Sequence, residues 1–113
     1  VNISVEEYRA RAARTMPESE LQENVRQACK KLGHLYFHPW NSQHSPDGYP
    51  DCTILTRDGR LIFAELKRQN REPTDAQREW LEALELIGIE AYLWRPSDWL
   101  DGTIEDVLSG AQR

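Results

Sequence analysis

The sequence predicts an α/β domain in which a helix, three strands, a helix and a fourth strand follow in that order, the strands forming a central mixed sheet covered on both sides. Three observations predict it. Two short runs rich in β-branched and aromatic residues, 52–55 and 61–67, flank Asp58-Gly59 and read as a β-hairpin. Apolar stripes of helical period lie before and after the hairpin, at 17–33 and 74–88. A last strand-like run, 89–94, follows the second stripe, and a strand, helix, strand crossover makes it parallel to the run ending at Lys67, with a right-handed connection.

The 113 residues suit one domain with a modest core. No apolar run is long enough to span a bilayer and no signal-peptide pattern is present, so the expectation is a soluble, cytoplasmic chain that does not associate with membranes. Cys29 and Cys52 both fall at core-like positions, and reduced thiols are expected rather than a disulfide framework or a zinc site. The net charge of -5 argues against a general nucleic-acid binder. Its distribution is uneven. Residues 57–78 hold six Lys/Arg against four acids, whereas 79–113 hold two against eight, so the hairpin edge and the loop after it are locally basic.

Taken in order, Ser4-Val5-Glu6-Glu7 is a capping-box start for a short helix that ends near Arg14. Its Arg9, Arg11 and Arg14 are free to meet phosphate or a second subunit, and the sequence does not choose. A second helix has Pro17 in its first turn and Gly33 just past its end, with Leu21, Val25, Ala28, Cys29 and Leu32 as the apolar stripe. Glu18 lies one turn before Leu21 and within that stripe, whereas Glu20 and Glu23 project off it. A carboxylate there needs a cation or a donor. Residues 34–40 read as the first strand, ended by Pro39, and 41–50 as an exposed, mobile polar loop. His38 and His44 lack companions at metal spacing, so a zinc or HNH-type site is disfavoured; His38 at a strand end is in reach of a phosphate or is plain surface. Tyr49 either stacks on a base or sugar or packs against the loop.

Two hairpin registers are open. A two-residue turn pairs Arg57 with Arg60 and puts Asp51 on the face away from Glu65 and Lys67. A type I turn at Arg57-Asp58 with left-handed Gly59 in a G1 bulge pairs Thr56 with Arg60 and sets Asp51 opposite Glu65. The second is the expectation. It places Cys52, Ile54, Ile62, Ala64 and Leu66 on one face, with Asp51, Thr53, Leu55, Leu61, Phe63, Glu65 and Lys67 on the other.

Opposed carboxylates at about 5 Å between Cβ atoms suit one hard divalent cation, Mg²⁺ or Mn²⁺, with the Leu66 carbonyl as a third oxygen. Lys67, two residues past Glu65 and on its face, would orient or deprotonate a water or neutralise a phosphate. After it, Arg68-Gln69-Asn70-Arg71 is a loop of donors placed for phosphates, and Arg57 and Arg60 add charge at the hairpin edge. Thr74 caps the next helix, which carries Trp80, Leu81, Leu84 and Ile87. Ser97 and Thr103 start two short helical turns whose Trp99, Leu100, Ile104, Val107 and Leu108 are available for packing.

Asp51, thirteen intervening residues and Glu65-x-Lys67, with Pro50 leading, match the PD-(D/E)XK nuclease motif. The ordered set of a helix with an early Glu, Gly48-x-Pro50-Asp51, Glu65-Leu66-Lys67, Thr74-x-x-Gln77 opening a Trp-containing helix, and Ala91-Tyr-Leu-Trp-Arg-Pro-Ser-Asp98 resembles the stand-alone VRR-Nuc domain of phage and bacterial proteins. The resemblance covers roughly 16–108 as a nuclease core, leaving 1–15 as a helical extension of one domain, 1–113. It implies a restriction-endonuclease-like αβββαβ core and a Mg²⁺- or Mn²⁺-dependent deoxyribonuclease that leaves 5′-phosphates. It also implies a homodimer acting on branched DNA such as Holliday junctions, in the bacterial host cytoplasm if phage-encoded. By the resemblance Asp51, Glu65, Lys67, Gln77 and Glu18 are catalytic, with Glu18 aiding Asp51 and Glu65 on the metal and Glu20 the fallback. Gln77 keeps a second reading, because Thr-x-x-Gln is itself a capping box. Arg57, Arg60, Arg68, Arg71, Tyr49 and His38 are the expected DNA contacts. The rival functions are a flap or non-specific duplex endonuclease on the same site and a non-catalytic DNA-binding module.

Overall fold

A computed structural model describes residues 2–39 and 47–111. Ser4 accepts the Glu7 N–H at 3.0 Å and opens α1 (Val5–Thr15). Pro17 leads into α2 (Glu18–Leu32), which stops where Gly33 turns left-handed at φ 79°. The expected strand at 34–40 shortens to β1 (Leu35–Phe37), and the expected loop over 41–50, with His44, lies outside the described residues as far as 46.

The hairpin adopts the bulged register. In β2 (Cys52–Leu55) and β3 (Leu61–Leu66), Cys52 pairs with Ala64 and Leu55 with Leu61. Beyond the strands, Thr56 N–H donates to the Arg60 carbonyl at 2.8 Å, Gly59 N–H donates to the Thr56 carbonyl at 3.0 Å, and Gly59 sits at φ 90°. A side chain at that φ is strained, so the glycine fixes the count of residues in the turn and with it every pairing along the hairpin. Cys52, Ile54, Ile62, Ala64 and Leu66 are all fully buried, as that register requires.

Thr74 caps α3 (Asp75–Leu86), β4 (Glu90–Trp94) runs parallel to β3, and α4 (Pro96–Leu100) and α5 (Thr103–Ser109) follow. The sheet is mixed and ordered β1-β2-β3-β4. On one face Leu21, Val25, Ala28 and Cys29 of α2 join Ile54, Ile62, Trp94, Ile104 and Leu108 in a single core. Each buried aliphatic there contributes about 1.5–3 kcal/mol. On the other face, among the described residues, α3 lies over β3 and β4. Over β1 and β2 the outward Leu35, Phe37 and Leu55 are 70%, 57% and 49% exposed. Ile87, expected within α3, is its exposed C-cap. Both cysteines are free and buried, and burial pushes their thiols up to about 11 and 12. Among the described residues no helix is long and apolar enough to cross a membrane.

Candidate active site

Extending the pairing of Cys52 with Ala64 by one residue sets Asp51 against Glu65, where the ends of β2 and β3 meet α2 and the loop after β3. Past the last β2 pairing the Leu66 N–H faces empty ladder, and Asp51 Oδ2 accepts it at 2.8 Å. Glu65 is 1% exposed, and its Oε1 has no hydrogen-bond partner. Its other oxygen lies 3.9 Å from Lys67 Nζ. Burial, then the charge of Asp51 and a hydrogen bond to it, push the Glu65 carboxyl up to about 8, against a lowering pull from Lys67.

Glu18 at the start of α2 completes the acidic face. It is half-buried, and burial followed by the Asp51 charge raises its carboxyl, while Lys67 and His38 pull it down. Glu20, the alternative, is exposed. His38 Nδ1–H donates to the Asp51 carbonyl at 2.6 Å, which anchors the strand end and aims the opposite ring nitrogen away from that bond. Among the described residues no three His, Cys, Asp or Glu side chains are drawn into a ready-made metal cluster. The fit of a divalent cation rests on the opposed pair and the orphaned buried oxygen of Glu65.

Gln77 makes the capping box: its Oε1 accepts the Thr74 N–H at 2.8 Å, and Thr74 Oγ1 accepts the Gln77 N–H at 3.2 Å. Its side-chain oxygen is thereby engaged, leaving the amide N–H groups as what it has to offer. The loop before β2 is pressed onto this helix start. Gly48 has φ 79°, and a Cβ there would lie 2.7 Å from the Gln77 nitrogen and closer still to the Ala76 carbonyl group. Trp80 Nε1–H donates to the Asp47 carbonyl at 3.1 Å. Tyr49 packs edge-on against Trp80 and Phe63, with ring centroids 5.0 and 6.1 Å apart, and its hydroxyl meets Thr53. Tyr49 thus packs, though against β3 and α3 rather than against the expected loop.

The expected arginine contacts divide. Arg68 and Arg71 are exposed on the loop that follows Lys67. Arg57 and Arg60 sit at the hairpin turn, about 20 Å along the strands from Asp51. Arg57 is exposed there. Arg60 is a correction: it is 8% exposed, and its guanidinium contacts Asp58, Glu90 and the carbonyls of Val107 and Leu108. A guanidinium so engaged is a structural clamp with no face left for phosphate.

Sequence reasoning did not find the bracing of the 67–73 loop. Gln69 exchanges two hydrogen bonds with Ser97, Arg95 donates to the Arg71 carbonyl and pairs with Glu72, and Asp98 accepts the Arg95 N–H. The Arg95-Pro-Ser-Asp98 segment was visible as a motif; its partners were not.

A solved structure described as a VRR_NUC domain superposes on 78% of this chain and 94% of its own, with a TM-score of 0.66 and 22% identity. The chain has the VRR-Nuc fold. At that identity the likeness is one of architecture, and it agrees with the α/β order and mixed sheet read above. No protein-family model and no curated protein matches the sequence. Within the VRR-Nuc fold, the opposed carboxylates lie at the ends of β2 and β3, with Glu18 of α2 in electrostatic reach.

Proposed function

We propose that this chain is a metal-dependent DNA endonuclease that hydrolyses phosphodiester bonds, works as a homodimer and prefers branched DNA such as a four-way junction. One observation carries the reading. Asp51 faces Glu65 with Glu18 and Lys67 alongside, and Glu65 keeps a buried oxygen without a partner. Mg²⁺ or Mn²⁺ held by Asp51 and Glu65, with the Leu66 carbonyl and Glu18 as further oxygens, would polarise the phosphate and acidify a water.

The remaining work falls to the chain itself. Lys67 orients the attacking water against the phosphate and balances the carboxylates. The amide N–H groups of Gln77 hold a phosphate oxygen while its carbonyl stays in the cap. Arg68 and Arg71 draw in the DNA backbone. A dimer doubles the basic footprint of a chain with net charge -5, and a two-fold pair of sites suits a four-way junction. Exposed Leu35, Phe37 and Leu55 offer a second copy apolar surface to cover.

The test is cleavage of a labelled four-way junction beside linear duplex, single strand and flap, with Mg²⁺, Mn²⁺ or EDTA, for wild type and Lys67→Ala. Paired, symmetric, metal-dependent cuts in the junction that vanish in the variant are expected. Metal-dependent cutting without junction preference moves the function to a flap or general nuclease. Absence of any cutting, with both proteins binding DNA alike, sinks the catalytic reading and leaves a DNA-binding module.

A further inference from the structure

The loop after β3 and the end of α1 face each other across two adjoining clefts. The smaller, about 190 Å³, is lined by Arg14, Arg68, Gln69, Asn70 and Arg71. The larger, about 490 Å³, shares Arg14, Gln69 and Asn70 with it and reaches Arg9. Every charged residue of the smaller cleft is an arginine. Glu6 and Asp101 also line the larger one, which confines unopposed positive charge to the end the two clefts share.

Among the described residues Arg26, Arg60, Arg78 and Arg95 each pair with a carboxylate, whereas Arg14, Arg68 and Arg71 do not. In a chain with 19 acids and 14 Lys/Arg, three unpaired guanidiniums around one small cleft repel one another until an anion enters. Their backbone is braced. Arg68 donates to the Arg14 carbonyl at 3.3 Å, Arg71 N–H to the Arg68 carbonyl at 3.1 Å, and Gln69 is tied at both ends to Ser97. Among the described residues the Arg14 side chain has no ion-pair partner, and it stands in the last turn of α1. The cleft also starts one residue beyond Lys67, whose ammonium stands 3.9 Å from Glu65.

We propose that Arg14, Arg68 and Arg71 form a subsite for a phosphodiester phosphate of the DNA strand, next to the one at the carboxylates, which makes α1 part of the substrate-binding surface. The subsite rests on the nuclease reading, since it extends the same strand path. Planar, forked guanidiniums give it the geometry to grip phosphate oxygens in pairs.

The experiment is equilibrium binding of a fluorescent four-way junction in EDTA across a salt series, for wild type, Arg14→Gln, Arg68→Gln and the double variant. Arg26→Gln is the control, because Arg26 pairs with Glu23 on the exposed side of α2. Thermal melting of each variant checks folding. Each cleft substitution is expected to weaken binding about tenfold and to reduce the salt slope by about 0.9, additively in the double variant, with the control unchanged. A parallel series replaces part of the chloride with inorganic phosphate at constant ionic strength. Equal affinities and slopes for wild type and the cleft variants overturn the subsite, as does a wild type that binds no junction. Inorganic phosphate that binds wild type but not Arg14→Gln, without displacing DNA, assigns the cleft to a free anion and overturns the strand assignment. Cleavage by Lys67→Ala at the wild-type rate would sink the nuclease site while leaving the slopes to decide the cleft.

Discussion

Asp51 Oδ2 accepts the backbone N–H of Leu66 at 2.8 Å, so one of the two opposed carboxylates is held by the strand that carries the other. The bond fills the ladder position that β2 leaves open and fixes Asp51 beside Glu65 without any cation. Asp51→Asn keeps an acceptor for Leu66 and removes a charge from beside Glu65; it is expected to melt no lower than wild type in EDTA. Asp51→Ala leaves a buried N–H unpaired and is expected to be about 1–3 kcal/mol less stable than the Asn variant. Urea titration of the pair measures the difference, and both variants are expected to lose metal-dependent cleavage.

The raised carboxyl of Glu65 links stability to pH. A folded value of about 8, above the ordinary 4.5, means stability is greatest below about 4.5 and is lost as pH rises through 8. Glu18, also raised, acts in the same direction. In EDTA, wild type is expected to lose on the order of a few kcal/mol between pH 5 and 8.5. Glu65→Gln should flatten that profile and melt higher at pH 8.5. Addition of Mg²⁺ or Mn²⁺ at that pH should raise the wild-type melting temperature and leave Glu65→Gln unmoved.

Arg60→Ala should cost about 3 kcal/mol, because it takes a buried cation from beside Asp58 and Glu90 and one donor from each of the Val107 and Leu108 carbonyls. Its salt slope for DNA should match that of wild type. A slope reduced by about one unit would return Arg60 to the DNA interface.

Gly48→Ala combines a left-handed backbone with a Cβ driven into Ala76 and Gln77, and should cost about 2 kcal/mol or more. Because Asp51 follows three residues later, cleavage at saturating metal should fall as well. Unchanged melting would show that the loop shifts freely off α3.

Thr74→Ala and Gln77→Ala each remove half of the same capping box and should each cost about 1 kcal/mol. A cap role alone makes the two variants equal in cleavage. The proposed hold on a phosphate oxygen makes Gln77→Ala the slower by at least tenfold.

The register of the hairpin was legible because it hangs on local chemistry: Gly59 can take φ 90° and Thr56 can close the turn over it. The stripe of α2 was legible for the same reason, with Glu18 placed one turn before Leu21 on the side that meets Asp51. Arg60 was not. An arginine after Asp-Gly looks solvated until α5 docks and presents two carbonyls from 47 and 48 positions away. Tyr49 was half legible; its neighbours Phe63 and Trp80 come from two other elements, and no local pattern announces that they meet. The open outer face of β1 and β2 escaped because alternation tells which side a residue faces and says nothing about whether a helix reaches it.

The Arg60 clamp also bears on timing. A chain emerging from the ribosome has both carboxylates and Lys67 well before it has Val107 and Leu108. Until α5 arrives, the buried guanidinium lacks the carbonyls it needs, and the hairpin lacks its long-range anchor. The turn end of the hairpin thus gains its anchor only after α5 has been made, whereas the Asp51 end is held by the neighbouring strand through the Leu66 N–H.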